Sequence, residues 1–343
     1  MKRTRHIFDQ ITSIENIFLS WFSFRRGKRQ RLDMQMYERH LEDNLFLLHT
    51  DLRSAKYRHG EYSSFTVHDP KCRIIRKATI RDRFVHHLVH EALYTAFDSS
   101  FIAQSFSARR GKGTHAAVSA LQEGVRRVSC NFTRECWALQ CDVCKFYNSV
   151  NHVILGALLK RRVLDARMRW LLEEILASYY SDEGCTMGLP IGNVTSQLFG
   201  NIYLNELDHF AKHVLKVSYY YRYADNIVLL SAGRRELNGL LPELKEFLRE
   251  KLNLRFHENE EEIRPLHQGI DFLGYVIRPH HLTLRTSTKK RMFRRLKFRL
   301  REAEVGTIKA AAIEQSLASY QGLLKHANCF KLSQTIRNLC FMR

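Results

Sequence analysis

The sequence predicts an α+β fold, an antiparallel sheet in the middle of the chain backed by helices and flanked by helical ends. Three observations carry this. Residues 219–224 and 227–231 are β-rich runs separated only by Asp225-Asn226, a hairpin signal because Asp and Asn tolerate the backbone angles of a tight turn. Residues 136–143 form another strand-like run, followed by a helical pattern over 151–163. Both ends of the chain carry apolar residues at helical spacing.

The elements follow in order. In the first thirty residues Ile7, Ile11, Ile14, Phe18 and Trp21 line one face of a basic amphipathic helix, and a basic run over 25–31 follows. Residues 57–75 carry turn residues and short β-like runs, Ser64 to Val67 and Arg73 to Ile75. Residues 80–97 are again helical. Val194, Leu198, Ile202, Phe210 and Val214 share a second long helix, and a further helix spans about 242–252 before a strand over 270–277. A last, very basic helix starts near Thr286 or Thr288, both capable N-caps, and runs to about Glu304.

Composition narrows the function. With 343 residues, 45% of them hydrophobic, the chain can bury a large core. Fifty-five Lys plus Arg against 35 Asp plus Glu give a net charge of +20 and an isoelectric point near 9.8. A surplus that large favours a polyanionic partner, because each phosphate contact releases condensed counterions. The apolar stretch over 7–24 is interrupted by Asp9, Glu15 and Asn16, so neither a secretory signal nor a membrane span is expected. A cytoplasmic location and reduced cysteines follow. Of the clustered Cys130, Cys136, Cys141 and Cys144, only the last two have ligand-like spacing, and they straddle Asp142 on a strand. Small apolar core residues are the expectation for the cluster.

Two carboxylates stand out. Phosphoryl transfer to a primer end needs two divalent cations about 4 Å apart, held mainly by carboxylates on rigid backbone. Asp142 closes the run Trp137-Ala138-Leu139-Gln140-Cys141, and Asp225 sits at the expected hairpin tip. An Asp beside an apolar strand costs several kcal/mol unless it is paired or metal-bound. Either Asp alone would read as a turn residue or a buried ion pair. Their joint appearance with ordered neighbours points to a metal site.

Those neighbours are Asp142-Val143-Cys144-Lys145-Phe146-Tyr147, Gly188-Leu189-Pro190-Ile191-Gly192-Asn193-Val194-Thr195-Ser196-Gln197, Tyr223-Ala224-Asp225-Asn226 and Phe272-Leu273-Gly274-Tyr275. In this order they resemble the motifs of reverse transcriptases. The Ile-Gly-x-x-x-Ser-Gln segment, where most relatives carry Gln-Gly-x-x-x-Ser-Pro, looks like the reverse transcriptases of diversity-generating retroelements. The resemblance extends to Lys71-Cys72-Arg73-Ile74-Ile75, Arg81-Asp82-Arg83 and Arg109-Arg110-Gly111-Lys112-Gly113-Thr114-His115, and covers roughly residues 65–280.

The resemblance implies a right-hand polymerase. Its divisions would be a basic helical extension over 1–56, fingers over 57–135, a palm over 136–282 and a helical basic thumb over 283–343. It implies catalysis by Asp142, Asp225 and Asn226, with Asp142, Asp225 and the Val143 carbonyl holding two Mg²⁺ ions, for which Mn²⁺ can substitute. Lys71 and Arg73 would clamp the triphosphate of the incoming dNTP. Tyr147 would be the aromatic floor that excludes a ribonucleotide's 2′-hydroxyl. Ile191, Gly192 and Gln197 would shape the base-pair pocket, loosely enough for error-prone synthesis opposite template adenines. Arg109, Lys112, Lys289, Lys290, Arg294 and Arg295 would contact nucleic acid. Residues 289–301 carry eight Lys or Arg in thirteen positions, with Met292, Phe293, Leu296 and Leu300 as an apolar stripe. Implied partners are a template RNA, the RNA/cDNA duplex and a small basic ring-forming accessory protein, in a prokaryotic or phage-encoded system. The length leaves no room for an added nuclease domain after the thumb.

Two departures qualify this. The third carboxylate that relatives carry directly after the hairpin Asp is Asn226 here, which removes one negative charge beside the metals. The segment over 253–262, where a lysine is usual, turns acidic after His257; His257 or Arg264 would have to substitute. Two alternatives stay open at this point. One is a catalytically impaired RNA-binding homologue. The other is a retron-, intron- or defence-type reverse transcriptase.

Overall fold

The computed structural model describes residues 6–68, 72–182, 185–258 and 261–341, so Lys71 lies outside the described residues. Four helices open the chain: α1 (Ile7–Ile11), α2 (Ile14–Phe24), α3 (Leu32–Glu38) and α4 (Leu41–Arg53). The single long helix expected at the start is therefore broken. Ser13 adopts an extended conformation and its hydroxyl caps the Asn16 N–H, which ends α1 and starts α2. Ile17, Trp21 and Phe24 are the buried stripe of α2, and Phe84 meets the Trp21 ring edge-on. These helices are thus part of the main core rather than an appendage.

The hairpin of β1 (Ser63–Val67) and β2 (Arg73–Lys77) follows, with Val67 opposite Arg73 and Thr66 opposite Ile74. Helix α5 (Ile80–Phe97) has the bounds that periodicity gave, capped by the Thr79 hydroxyl. Helix α6 (Thr114–Val128) comes next. The segment over 81–83, read as part of a fingers motif, serves the fold: the buried Asp82 carboxylate accepts from Tyr57 and Thr79, and Arg81 and Arg83 pair with Asp51 and Asp33.

The central sheet runs β4-β5-β3-β6 and is antiparallel throughout. Strand β3 (Trp137–Asp142) leads to α7 (Phe146–Ser149), α8 (His152–Lys160), α9 (Ala166–Ala177) and α10 (Val194–His209), which ends in a π-helical turn over Phe210–Val214. The hairpin β4 (Tyr219–Tyr223) and β5 (Asn226–Ser231) follows, then α11 (Arg234–Leu252) and β6 (Glu262–Pro265). Helix α11 starts well before Pro242, which sits inside it; the buried Leu237, Leu244, Leu248 and Leu252 hold both halves on the core.

Alternation along the strands gives the sheet two covered faces. Leu139, Cys141, Tyr220, Ile227 and Leu229 face the larger core with α5, α10 and α11. Ala138, Tyr221, Val228 and Leu230 face a second core with α6. Cys136 and Cys141 are buried thiols, and burial pushes both up to about 12. Cys130 departs from the core expectation: it is exposed in a turn at positive φ.

The strand expected over 270–277 is two strands. Leu273 (φ 51°) and Gly274 (φ 86°) make a tight turn between β7 (Ile270–Phe272) and β8 (Tyr275–Arg278), which pairs on to β9 (His281–Leu284). Three helices close the chain: α12 (Thr286–Glu304), α13 (Ala310–Leu324) and α14 (Phe330–Phe341). Neither Thr286 nor Thr288 is the cap of α12; Arg285 holds that position, with its guanidinium on Asp271. Met292 and Leu296 seat α12 on the second core, with Phe293 packed against it, and Leu300 is buried further along the same helix. No helix among the described residues is long and apolar enough to cross a membrane.

Candidate active site

Asp142 ends β3, and its position in the ladder is set by the alternation that buries Leu139 and Cys141 on one face. It pairs with Asn226, the first residue of β5, which in turn pairs with Tyr223 across the hairpin. The tight turn is thus Ala224-Asp225, one residue earlier than the Asp-Asn pair suggested, and Ala224 rather than Asp or Asn takes the positive φ (52°). The Val143 N–H donates to the Asp225 carbonyl over 3.3 Å, binding the strand end to the hairpin tip. The Asn226 side-chain amide donates to the Asp225 carboxylate over 3.4 Å.

The chain beyond Asp142 is pinned from the other side. The His257 N–H donates to the Asp142 carbonyl at 2.8 Å and the Cys144 N–H to the Arg255 carbonyl at 2.9 Å. These bonds flank Val143 without using its carbonyl. His257 therefore touches the site by its backbone. Arg264 faces Ala138, four residues back along β3, and pairs with Glu262, so it does not reach the carboxylates.

Tyr147 lies beside this pair. Burial pushes its hydroxyl up to about 12, and the nearby Asp225 charge pushes the same way while Arg222 and Arg73 oppose it. The ring therefore shares one electrostatic neighbourhood with Asp225 and with Arg73 at the exposed start of β2. Phe146 stacks obliquely on it, centroids 5.2 Å apart. Beneath both lies Gly200 of α10, where an added Cβ would come within 3.0 Å of Phe146 and 3.7 Å of Tyr147.

The loop before α10 is clamped to β2. The Arg76 N–H donates to the Ile191 carbonyl at 2.9 Å, and a Cβ on Gly192 (φ 135°) would stand 2.7 Å from the Arg76 carbonyl. Only glycine fits that approach. Its base is a buried polar cluster: His86 meets the Thr195 hydroxyl at 2.7 Å and the Asn193 amide at 3.1 Å. Burial lowers His86 to about 3, so its ring is neutral. Gln197 is exposed on the first turn of α10.

Asp142, Asp225, Asn226, Val143, Tyr147 and Arg73 are thus gathered, with Ile191 and Gly192 joined to them through β2. Lys289, Lys290, Arg294 and Arg295 lie on α12, over the second core. Arg109 is a correction: its side chain is 7% exposed and its guanidinium bonds Asp98, Ile102 and Ser105, leaving it a loop staple rather than a phosphate contact. Lys112 donates to the Ala103 carbonyl over the Phe106 ring, and burial lowers its pKa. Sequence reasoning missed Gly200, His86 and Arg222. The signal for Arg222 was present, a charged residue on the inward face of a tyrosine strand.

The site's donors are carboxylate, carbonyl and amide oxygens on rigid backbone, a hard set that fits Mg²⁺ or Mn²⁺. Among the described residues no group of three or more His, Cys, Asp or Glu converges, which accords with the neutral Asn226.

Comparison with known proteins agrees with this geometry. The chain is 25% identical over 241 residues to Protein YkfC of Escherichia coli, covering 60% of this chain and 63% of that protein. It is 23% identical over 274 residues to the group II intron-encoded protein LtrA of Lactococcus lactis, covering 61% of this chain and 45% of that one. It thus spans less than two thirds of either relative. A solved apo telomerase of Candida tropicalis, truncated of its C-terminal domain, superposes with a TM-score of 0.52 at 10% identity, over 72% of this chain and 60% of that one. That likeness is one of fold, the right-hand polymerase fold. The family model for reverse transcriptase (RNA-dependent DNA polymerase) matches residues 67–277, more than half of the chain, from the β1–β2 hairpin to β8. By that match the chain belongs to the reverse transcriptase family.

Proposed function

We propose that this protein extends a primer 3′-end with deoxynucleotides under the direction of an RNA template, as the polymerase of a diversity-generating retroelement. The observation that carries the polymerase reading is the register of β3 on β5, which sets Asp142 beside the Asp225 tip, with Tyr147 within the electrostatic reach of Asp225. Asp142, Asp225 and the Val143 carbonyl would hold two divalent ions, Mg²⁺ or Mn²⁺. Bound there, the ions supply Lewis-acid activation of the primer hydroxyl and neutralise charge on the triphosphate. The residues themselves do the rest. Arg73, with Lys71 beyond the described residues, draws in the triphosphate. Tyr147 closes the floor under the sugar. Ile191 and Gln197 border the nascent base pair, and a branched aliphatic in place of a hydrogen-bonding Gln removes a polar contact there, which suits loose synthesis opposite adenine. Lys289, Lys290, Arg294 and Arg295 follow the duplex backbone. In this reading residues 57–135 serve as fingers, 136–282 as palm and 283–343 as thumb, and the basic accessory protein of such elements is the expected partner.

The Asn226 amide favours a second reading, an RNA-binding homologue with little chemistry, because it leaves two carboxylates where relatives have three. Primer extension on an RNA homopolymer with Mg²⁺ or Mn²⁺ separates the two. Extension by the native protein and loss in Asp225→Ala supports the polymerase. No native extension, with rescue by Asn226→Asp, supports the second reading. Sequencing of co-purified RNA and of the cDNA tests the retroelement assignment against an intron role like that named for LtrA: adenine-biased substitutions support the first, intron RNA and faithful cDNA the second.

A further inference from the structure

Arg222 is the largest charged side chain fully buried among the described residues, 0% exposed, and it lies directly behind the β4–β5 hairpin. All five of its N–H donors are used. Nε and one Nη2 bond grip the Asp208 carboxylate at 2.7 and 2.6 Å, the second Nη2 bond goes to the Ser105 hydroxyl at 3.0 Å, and Nη1 reaches Asn201 Oδ1 at 3.1 Å. The remaining bond, 3.1 Å from Nη1, goes to the Ala224 carbonyl. Asp208 is itself 0% exposed and also accepts from the Tyr220 hydroxyl at 2.8 Å.

The Ala224 bond is the one that matters for chemistry. Ala224 holds a left-handed conformation (φ 52°) that is strained for a residue with a Cβ. Its carbonyl belongs to the peptide plane that leads into Asp225. Fixing that oxygen fixes the plane, and with it the direction in which the Asp225 side chain leaves the backbone. The guanidinium is held in turn by Asn201 and Asp208 on α10 and by Ser105 in the segment over 104–106 that pairs with β4. Because Asp208 neutralises the charge, the arrangement orients the hairpin without adding a bare cation behind the carboxylates.

We infer that Arg222 is a positioning residue for Asp225: its fork, anchored by Asp208 and Asn201, holds the strained hairpin turn so that the Asp225 carboxylate is aimed at the metal site. This rests on the polymerase reading above. Lysine cannot replace it, since one ammonium cannot fill a planar five-donor fork.

The test uses the full-length chain and two readouts. The pair Arg222→Met with Asp208→Leu removes the fork but leaves no unpaired buried charge, a replacement that often preserves stability. Mn²⁺ titration followed by electron paramagnetic resonance, without nucleotide, measures the Asp225-dependent binding after subtraction of an Asp225→Ala control. The expected result is a melting temperature near the native one, with Mn²⁺ affinity and kcat each down by about ten- to a hundredfold and the KM for dNTP unchanged, the size seen when support to a metal ligand is lost. A folded double variant with native Mn²⁺ affinity and kcat overturns the inference. Should that variant misfold, Asn201→Ala and Ser105→Ala decide: weakened Mn²⁺ binding in either supports it, and native binding in both overturns it. A native protein that binds Mn²⁺ at Asp225 but extends no primer defeats the polymerase reading, while the titration still judges the positioning role.

Discussion

Asp142 faces Asn226 across the β3–β5 ladder, so the neutral amide stands opposite one candidate carboxylate and next to the other, Asp225. Asn226 is exposed and donates its amide to Asp225. The charge that relatives place here can therefore be restored without disturbing the core. Asn226→Asp is expected to lower the Mg²⁺ concentration needed for half-maximal extension by about tenfold, as added outer support to a metal does. Asp142→Ala and Asp225→Ala should each cut kcat by roughly three orders of magnitude, and the double variant should be no worse than the poorer single, because the pair acts as a unit. Steady-state extension across a Mg²⁺ series measures both.

In the proposed reading, Tyr147 closes the sugar side of the site. Its replacement by Ala opens space where the 2′-hydroxyl of a ribonucleotide would stand. The kcat/KM ratio of ribonucleotide to deoxynucleotide should rise by roughly ten- to a hundredfold, while Tyr147→Phe, which keeps the ring, should leave it near native. Single-nucleotide incorporation assays give the ratio directly.

In the proposed reading, the loop joined to β2 through Gly192 borders the base pair. Ile191→Gln is expected to reduce misincorporation opposite template adenine while leaving errors opposite other bases unchanged. An unaltered error spectrum in sequenced cDNA would reject the role given to Ile191.

His86 ties stability to pH. Its folded pKa is depressed to about 3 by burial, whereas the unfolded ring titrates near 6.5. Above that value the group contributes no pH dependence. As pH falls from about 6.5 toward 3, the unfolded chain gains a proton that the folded chain refuses, and stability drops by up to about 1.4 kcal/mol per pH unit. Chemical denaturation of the native protein and His86→Gln between pH 7.5 and 5 should give a steeper loss for the native protein, and parallel curves would contradict the burial.

Much of this was legible in the sequence because it depends on short-range rules. The bounds of α5 follow from its periodicity and its Thr79 cap. The places of Asp142 and Asp225, at a strand end and a hairpin tip, were legible because each closes a β-rich run, and only their ordered neighbours set them apart from a turn residue or an ion pair. What the sequence hid depends on long-range approach. The split of β7 from β8 rests on a non-glycine residue, Leu273, entering left-handed space, which no turn preference foretells. The fate of Arg109 was unreadable for the same reason: Asp98 and the carbonyls that consume it are set by the path of a loop. Pro242 misled because a helix start is its commonest helical place, yet four buried leucines outweigh the bond it removes from α11.

Gly200 gives a last prediction. An alanine there would stand 3.0 Å from the Phe146 ring, which must give by a few tenths of an ångström, so Gly200→Ala should lose the roughly 1 kcal/mol that alanine normally gains in a helix, or more, in denaturant unfolding. A shift of Phe146 passes to the Tyr147 ring packed on it, so sugar discrimination should change as well.

Helix α10 carries Gln197 at its first turn, Gly200 under the aromatic floor, and Asn201 and Asp208 behind the hairpin. In the proposed reading its inner face is consequently pleiotropic: one substitution there would alter sugar selection and metal geometry together. Natural variation in copying accuracy should therefore accumulate in the loop ahead of the helix, at Ile191, and on its solvent-facing first turn, at Gln197. Error rate can then evolve there while the catalytic frame stays fixed.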